Sequence, residues 1–83
     1  MKKVYIFKST WCEPCKTYTP IFEKVASEIP GVNFEVIDVD SGDPRVKEYE
    51  VRSIPTTIVL NGDEIMSRQS GVILGNQLKQ MIR

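Results

Sequence analysis

Apolar residues along the 83-residue chain fall into short unbroken runs and into stripes at helical spacing. Val4-Tyr5-Ile6-Phe7 is a β-branched and aromatic run without a polar interruption, the pattern of a strand buried on both faces. Ser9-Thr10-Trp11 follows as a turn. Beyond it Tyr18, Ile21, Phe22, Val25 and Ile29 recur at i, i+3, i+4, i+7 and i+11, which places them on one stripe of a helix stopped by Pro30-Gly31. Pro20 falls inside that helix and, lacking an N–H, predicts a kink. Phe34-Glu35-Val36-Ile37-Asp38-Val39 reads as a second strand, and a short, mostly polar helix is expected from Pro44 to Tyr49. Thr56 to Leu60 and Glu64 to Arg68 flank Asn61-Gly62-Asp63, a hairpin signal, and Leu74, Leu78, Met81 and Ile82 mark a final amphipathic helix.

Strand, helix, strand at this spacing is a right-handed βαβ unit with parallel strands. The expected architecture is therefore α/β: a four-stranded mixed sheet in the order 2-1-3-4, with helices on both faces. Residues 1–83 contain no Gly/Ser/Pro-rich linker and no repeat, so one domain is expected. A chain this short buries only roughly 60–65% of the surface it exposes when unfolded, so nearly every apolar position has to contribute to the core.

Eleven Lys and Arg balance eleven Asp and Glu, and the charges are scattered. That distribution speaks against a nucleic-acid groove and a polybasic membrane patch, and favours neutral protein partners met by a monomer. The apolar run after Lys2-Lys3 is four residues long, against about 7–15 for a signal peptide and about 20 for a membrane span, so a cytoplasmic location is expected.

Composition leaves one place for chemistry. The two cysteines, Cys12 and Cys15, enclose too short a loop to serve as a structural staple in a reducing compartment. Zinc would need four ligands, and the chain has no third cysteine and no histidine, so no metal is expected. Redox chemistry remains. Cys12-Glu13-Pro14-Cys15 lies just after a strand and just before a helix, where residues i and i+3 sit about 5–6 Å apart at Cα, within disulfide range. Pro14 is tolerated there because first-turn N–H groups have no intrahelical acceptor. The helix N-terminus favours a thiolate on Cys12 by roughly 0.3–2 kcal/mol, which makes Cys12 the expected nucleophile. Cys15, one turn further in and more buried, would resolve the mixed disulfide.

Trp11-Cys12-Glu13-Pro14-Cys15-Lys16, Pro20 five residues after Cys15, Ile54-Pro55-Thr56 before the hairpin, Gly71 and Gln77-Leu78 together resemble the thioredoxins, over nearly the whole chain. The resemblance implies the thioredoxin fold, reduction of protein disulfides without a bound cofactor, and recharging by a thioredoxin reductase. It also implies that Pro55 is cis and faces the cysteines, that Ile54 pairs by strand addition with an extended substrate segment, and that Trp11, Ile54, Pro55, Gly71 and Val72 form an apolar docking surface. The chain starts at the strand before the cysteines, which makes it glutaredoxin-sized. Glutaredoxins, however, usually carry a Gly-Gly pair for glutathione, and here Gly71 and Gly75 stand apart, so glutathione is the lesser alternative. Two other readings stay open: a glutaredoxin-like electron donor, for instance to ribonucleotide reductase, and a non-catalytic binding module on a larger enzyme.

The chain departs from the family pattern at two points. Glu13 stands where a glycine is usual, and a carboxylate about 7 Å from a thiolate in water raises its pKa by about 0.4 unit, with Lys16 offsetting part of that. Together with Pro14 these two residues are the expected redox-tuning positions. The family typically buries an aspartate six residues before the nucleophile, with a lysine from the next strand. Counting without gaps places Ile6 and Val36 there, which predicts that no buried carboxylate serves Cys15, with Asp38 or Asp40 as the residues to mutate if one does.

Overall fold

A computed structural model describes residues 1–83. Strand β1 (Lys2–Lys8) leads into helix α1 (Glu13–Glu28), which crosses to strand β2 (Asn33–Asp38). A single turn of helix, α2 (Arg45–Glu48), precedes the hairpin of β3 (Thr56–Asn61) and β4 (Glu64–Ser70), and α3 (Gly75–Ile82) closes the chain. The sheet has the expected order β2-β1-β3-β4, with β2 parallel to β1 and the remaining neighbours antiparallel.

Period-two alternation divides β1 between two cores. Val4 and Ile6 pack with Tyr18, Phe22 and Val25 of α1, Val59 of β3, and Leu78 and Ile82 of α3. Tyr5 and Phe7 face the other way, against Ile37, Ile58 and Leu60, and Val46 and Tyr49 cover that side from the α2 region. This double burial is why the run at residues 4–7 carries no polar residue.

Element ends differ from the sequence pattern by one or two residues, for local reasons. α1 stops at Glu28 although the apolar stripe reaches Ile29, because Pro30 forces the residue before it out of the helical region. Pro20 lies within α1 and the helix runs on to Glu28, so the ring costs one backbone N–H without ending the helix. In the hairpin, Asn61 pairs with Glu64, leaving a two-residue loop in which Gly62 takes φ +64°. β4 extends two residues beyond Arg68, to Ser70, since Thr56 and Thr57 offer it partners.

α2 is too short to hold itself and is tied down by Arg45. Its guanidinium donates to Glu35 Oε2 of β2 at 2.6 Å and to Asp43 Oδ2 at 2.7 Å, and lies 4.9 Å from the centroid of the Tyr5 ring. Asp43 and Glu35 are consequently held below their ordinary carboxylate pKa values.

Candidate active site

The site forms where β1 ends and α1 begins. After Lys8, Ser9 is buried, Thr10 and Trp11 make the turn, and Cys12 becomes the N-cap of α1 with extended backbone angles. Its sulfur accepts the Cys15 N–H at 3.2 Å, a sulfur taking the place of the usual capping oxygen. Cys12 and Cys15 are joined as a disulfide with their Cα atoms 5.3 Å apart, within the range expected for the first helical turn. Both cysteines are buried, Cys12 at 4% exposure and Cys15 at 1%, so the contrast in burial between them is small.

Around the disulfide the chain assembles residues from four segments. Cys12 Sγ lies 3.9 Å from the carbonyl oxygen of Ile54, and the Ile54–Pro55 bond is cis. Gly71, at the end of β4 with φ +85°, donates its N–H to the Pro55 carbonyl at 2.8 Å, which fixes the Gly71–Val72 corner beside the proline. Trp11 is 68% exposed rather than packed into the core, and its indole N–H donates to Asp40 Oδ2 at 2.8 Å. Ile54 and Gly71 are half-buried, Pro55 is buried and Val72 is exposed. Glu13 and Lys16 point outward and form an ion pair at 3.0 Å, next to the exposed Pro14.

A cysteine pair closed at a helix N-terminus can exchange its internal disulfide for a mixed one and back with little backbone movement. The thioredoxin family model matches residues 2–83. The chain belongs to the thioredoxin family. It is 40% identical to the thioredoxin of Mycoplasmoides gallisepticum over 83 residues, covering 99% of this chain and 83% of that one. Among solved structures, thioredoxin from Trypanosoma brucei brucei superposes with a TM-score of 0.90 at 31% identity, over 100% of this chain and 73% of the other. Thioredoxin from Fasciola hepatica gives 0.89 at 32% identity, over 98% and 77%. As a thioredoxin-family chain with its cysteine pair at disulfide distance, it is a dithiol/disulfide oxidoreductase. No helix in it is long and apolar enough to cross a membrane.

Against that family background the second departure takes a physical form. Ile6 is fully buried and Val36 is exposed, and the two are directly paired across β1 and β2. No carboxylate of this thioredoxin-family chain is buried: Asp38 is half-buried, and the exposed Asp40 is engaged by Trp11. Sequence reasoning offers Asp40 only as a candidate acid and misses its hydrogen bond with Trp11. The signal lay in its place, two residues past the end of β2 and so at the same end of the sheet as the turn that carries Trp11. The second omission is a buried contact between Tyr18 Oη of α1 and Thr57 Oγ1 of β3 at 2.7 Å.

Proposed function

We propose that the chain reduces disulfides of other proteins and is itself recharged by a thioredoxin reductase. Cys12 attacks one sulfur of the target disulfide, forming a Cys12–substrate bond and releasing the first substrate thiolate. Cys15 then attacks Cys12 Sγ, so the internal disulfide forms, the mixed disulfide breaks, and the second substrate sulfur leaves. The substrate gains two electrons and the chain loses two, so a dithiol reductant must restore the pair. The observation that carries this reading is the Cys12–Cys15 disulfide capping α1 beside the Ile54 carbonyl.

In this reading Trp11, Ile54, Pro55, Gly71 and Val72 form the docking surface: Trp11 and Val72 are exposed, Ile54 and Gly71 half-buried and Pro55 buried, with the Ile54 carbonyl oxygen 3.9 Å from Cys12 Sγ. An extended substrate segment pairing with the backbone at Ile54 would bring its disulfide to Cys12, and Trp11 would cover it. Glu13, Pro14 and Lys16 tune the couple rather than bind. A reducing, cytoplasmic compartment suits a pair that has to be returned to dithiols.

Insulin disulfide reduction tests the reading, with NADPH and thioredoxin reductase in one arm and glutathione with glutathione reductase in the other. Turnover in the first arm, its loss in Cys12→Ser, and accumulation of a mixed disulfide in Cys15→Ser are expected. Turnover in the glutathione arm alone would transfer the chain to the glutaredoxin-like reading. A binding function that survives replacement of both cysteines by serine, with no turnover in either arm, would mark it as a module without catalysis.

A further inference from the structure

Cys15 poses a problem that the disulfide form hides. At 1% exposure its sulfur has to become an anion to attack Cys12, and burial in apolar surroundings opposes that. Cys12 Sγ has the Cys15 N–H as a donor, whereas Cys15 Sγ accepts no hydrogen bond. The charged side chains around the site are exposed or half-buried, and none is fully buried. Glu13 and Lys16 lie on the outer side of α1, Lys8 is half-buried at the end of β1, and Asp38 and Asp40 sit at and beyond the end of β2.

Among the buried hydroxyls, two meet each other. Tyr18 and Thr57 are both fully buried, and their oxygens are 2.7 Å apart. Two hydroxyls hold two protons, and their one mutual bond uses only one of them. Neither oxygen makes another side-chain hydrogen bond, so one O–H proton of the pair is left without an acceptor. Their placement points toward Cys15. Tyr18 follows Cys15 by three residues on the same buried stripe of α1, and a long helical side chain leans back toward the preceding turn, the one that holds Cys15. Thr57 is the strand partner of Ile6, whose side chain packs with Tyr18 under α1, so Thr57 faces that same layer two residues after Pro55.

We propose that the Tyr18–Thr57 hydroxyl pair is a built-in hydrogen-bond donor for the Cys15 sulfur while that sulfur is an anion. This rests on Cys15 being the resolving cysteine. The pair gives up no proton: the thiol proton of Cys15 passes to water or to the first substrate thiolate, and the hydroxyls only orient toward the charge. Burial pushes the Tyr18 phenol above its ordinary value of 10, so it stays protonated and able to donate. Tyr18 and Thr57 are thus positioning residues, offering neutral hydrogen-bond donors in a core that holds no buried charge.

The double variant Tyr18→Phe/Thr57→Val tests this. It removes both hydroxyls together, which costs little stability compared with orphaning one of them. In a reduced Cys12→Ser background, where only Cys15 titrates as a thiol, ultraviolet thiolate absorbance should show the Cys15 pKa raised by about one unit, a tenfold change in ionisation. In the chain with both cysteines, a mixed disulfide formed on Cys12 should resolve about threefold more slowly at neutral pH. The more basic thiolate regains part of what its lower population loses. Alkylation of Cys12 should be unchanged. An unaltered Cys15 pKa and resolution rate would overturn the proposal and leave the pair as packing. So would finding that only Ser9→Ala moves them, because Ser9 Oγ is another buried hydroxyl and has no partner at all. Failure of the underlying assignment is separately visible: if Cys15→Ser does not trap a mixed disulfide, Cys15 is not the resolving residue, whatever the hydroxyls do.

Discussion

An electron carrier has to stay folded in both redox states, and the size of its disulfide loop sets how far apart those states can lie. Cys12 and Cys15 are separated by three positions, so the bridge closes a loop of four residues. The chain-entropy relation gives about 2 kcal/mol of stabilisation for a loop of that size at 25 °C. Reduction forfeits that amount and gains an opposing one, since a thiolate at the α1 N-terminus is favoured by about 0.3–2 kcal/mol. The capping bond survives either way, because Cys12 Sγ can accept the Cys15 N–H whether or not it is bonded to Cys15 Sγ. The net difference between oxidised and reduced folds should therefore lie below about 2 kcal/mol, against a total stability of about 4–12 kcal/mol for a chain of this length.

Urea unfolding followed by far-ultraviolet circular dichroism, with and without dithiothreitol, measures that difference directly. A redox equilibration against glutathione in buffer and in strong denaturant closes the cycle. The entropic contribution alone would make the folded couple about 40 mV more reducing than the unfolded one, and the helix contribution pulls it back. A reduced chain that is unfolded without denaturant, or a gap above about 4 kcal/mol, would refute the reasoning. It would mean that the bridge holds the two cores together and is a staple after all.

Two further expectations concern charge. Replacing Glu13 by glycine should lower the Cys12 pKa by no more than about 0.4 unit and make the couple slightly more oxidising, because the carboxylate is solvated and already paired with Lys16. Thiol titration and redox equilibration decide it, and a mutant that is unchanged or more reducing refutes the effect. Acid should act through the Arg45 cluster. Asp43 is held at about 2, first by the Arg45 side chain and then by the Arg45 backbone N–H, against 3.8 for a free aspartate. A depressed folded-state pKa gives stability that is present above the unfolded value and lost as pH falls through the folded one. The urea midpoint should drop between about pH 4 and pH 2, and Arg45→Gln should flatten that slope. Equal slopes in the two proteins would show that the cluster contributes nothing.

Fold and chemistry were legible in the sequence to different depths, and the difference has a physical cause. The run at Val4 to Phe7 and the stripe from Tyr18 to Ile29 report what each residue does alone, namely leave water, and that property is written in local periodicity. Cys12 and Cys15 are equally local, since one helical turn brings them together whatever the rest of the chain does. Polar pairing depends on two residues at once. Trp11 and Asp40 are 29 positions apart, and Tyr18 and Thr57 are 39 apart, so register and helix docking decide whether they meet. Before the fold is known, Tyr18 is one more apolar position on a stripe and Thr57 one more β-branched residue in a strand. Ile6 shows the other side of this. Counting along the chain finds an apolar residue where its family usually buries an acid, but counting cannot show that a threonine lies directly across from it with a phenol in reach. The sequence therefore says that a charge is missing from the core, and only the packed structure shows that two neutral hydroxyls, 39 positions apart, meet beside Ile6.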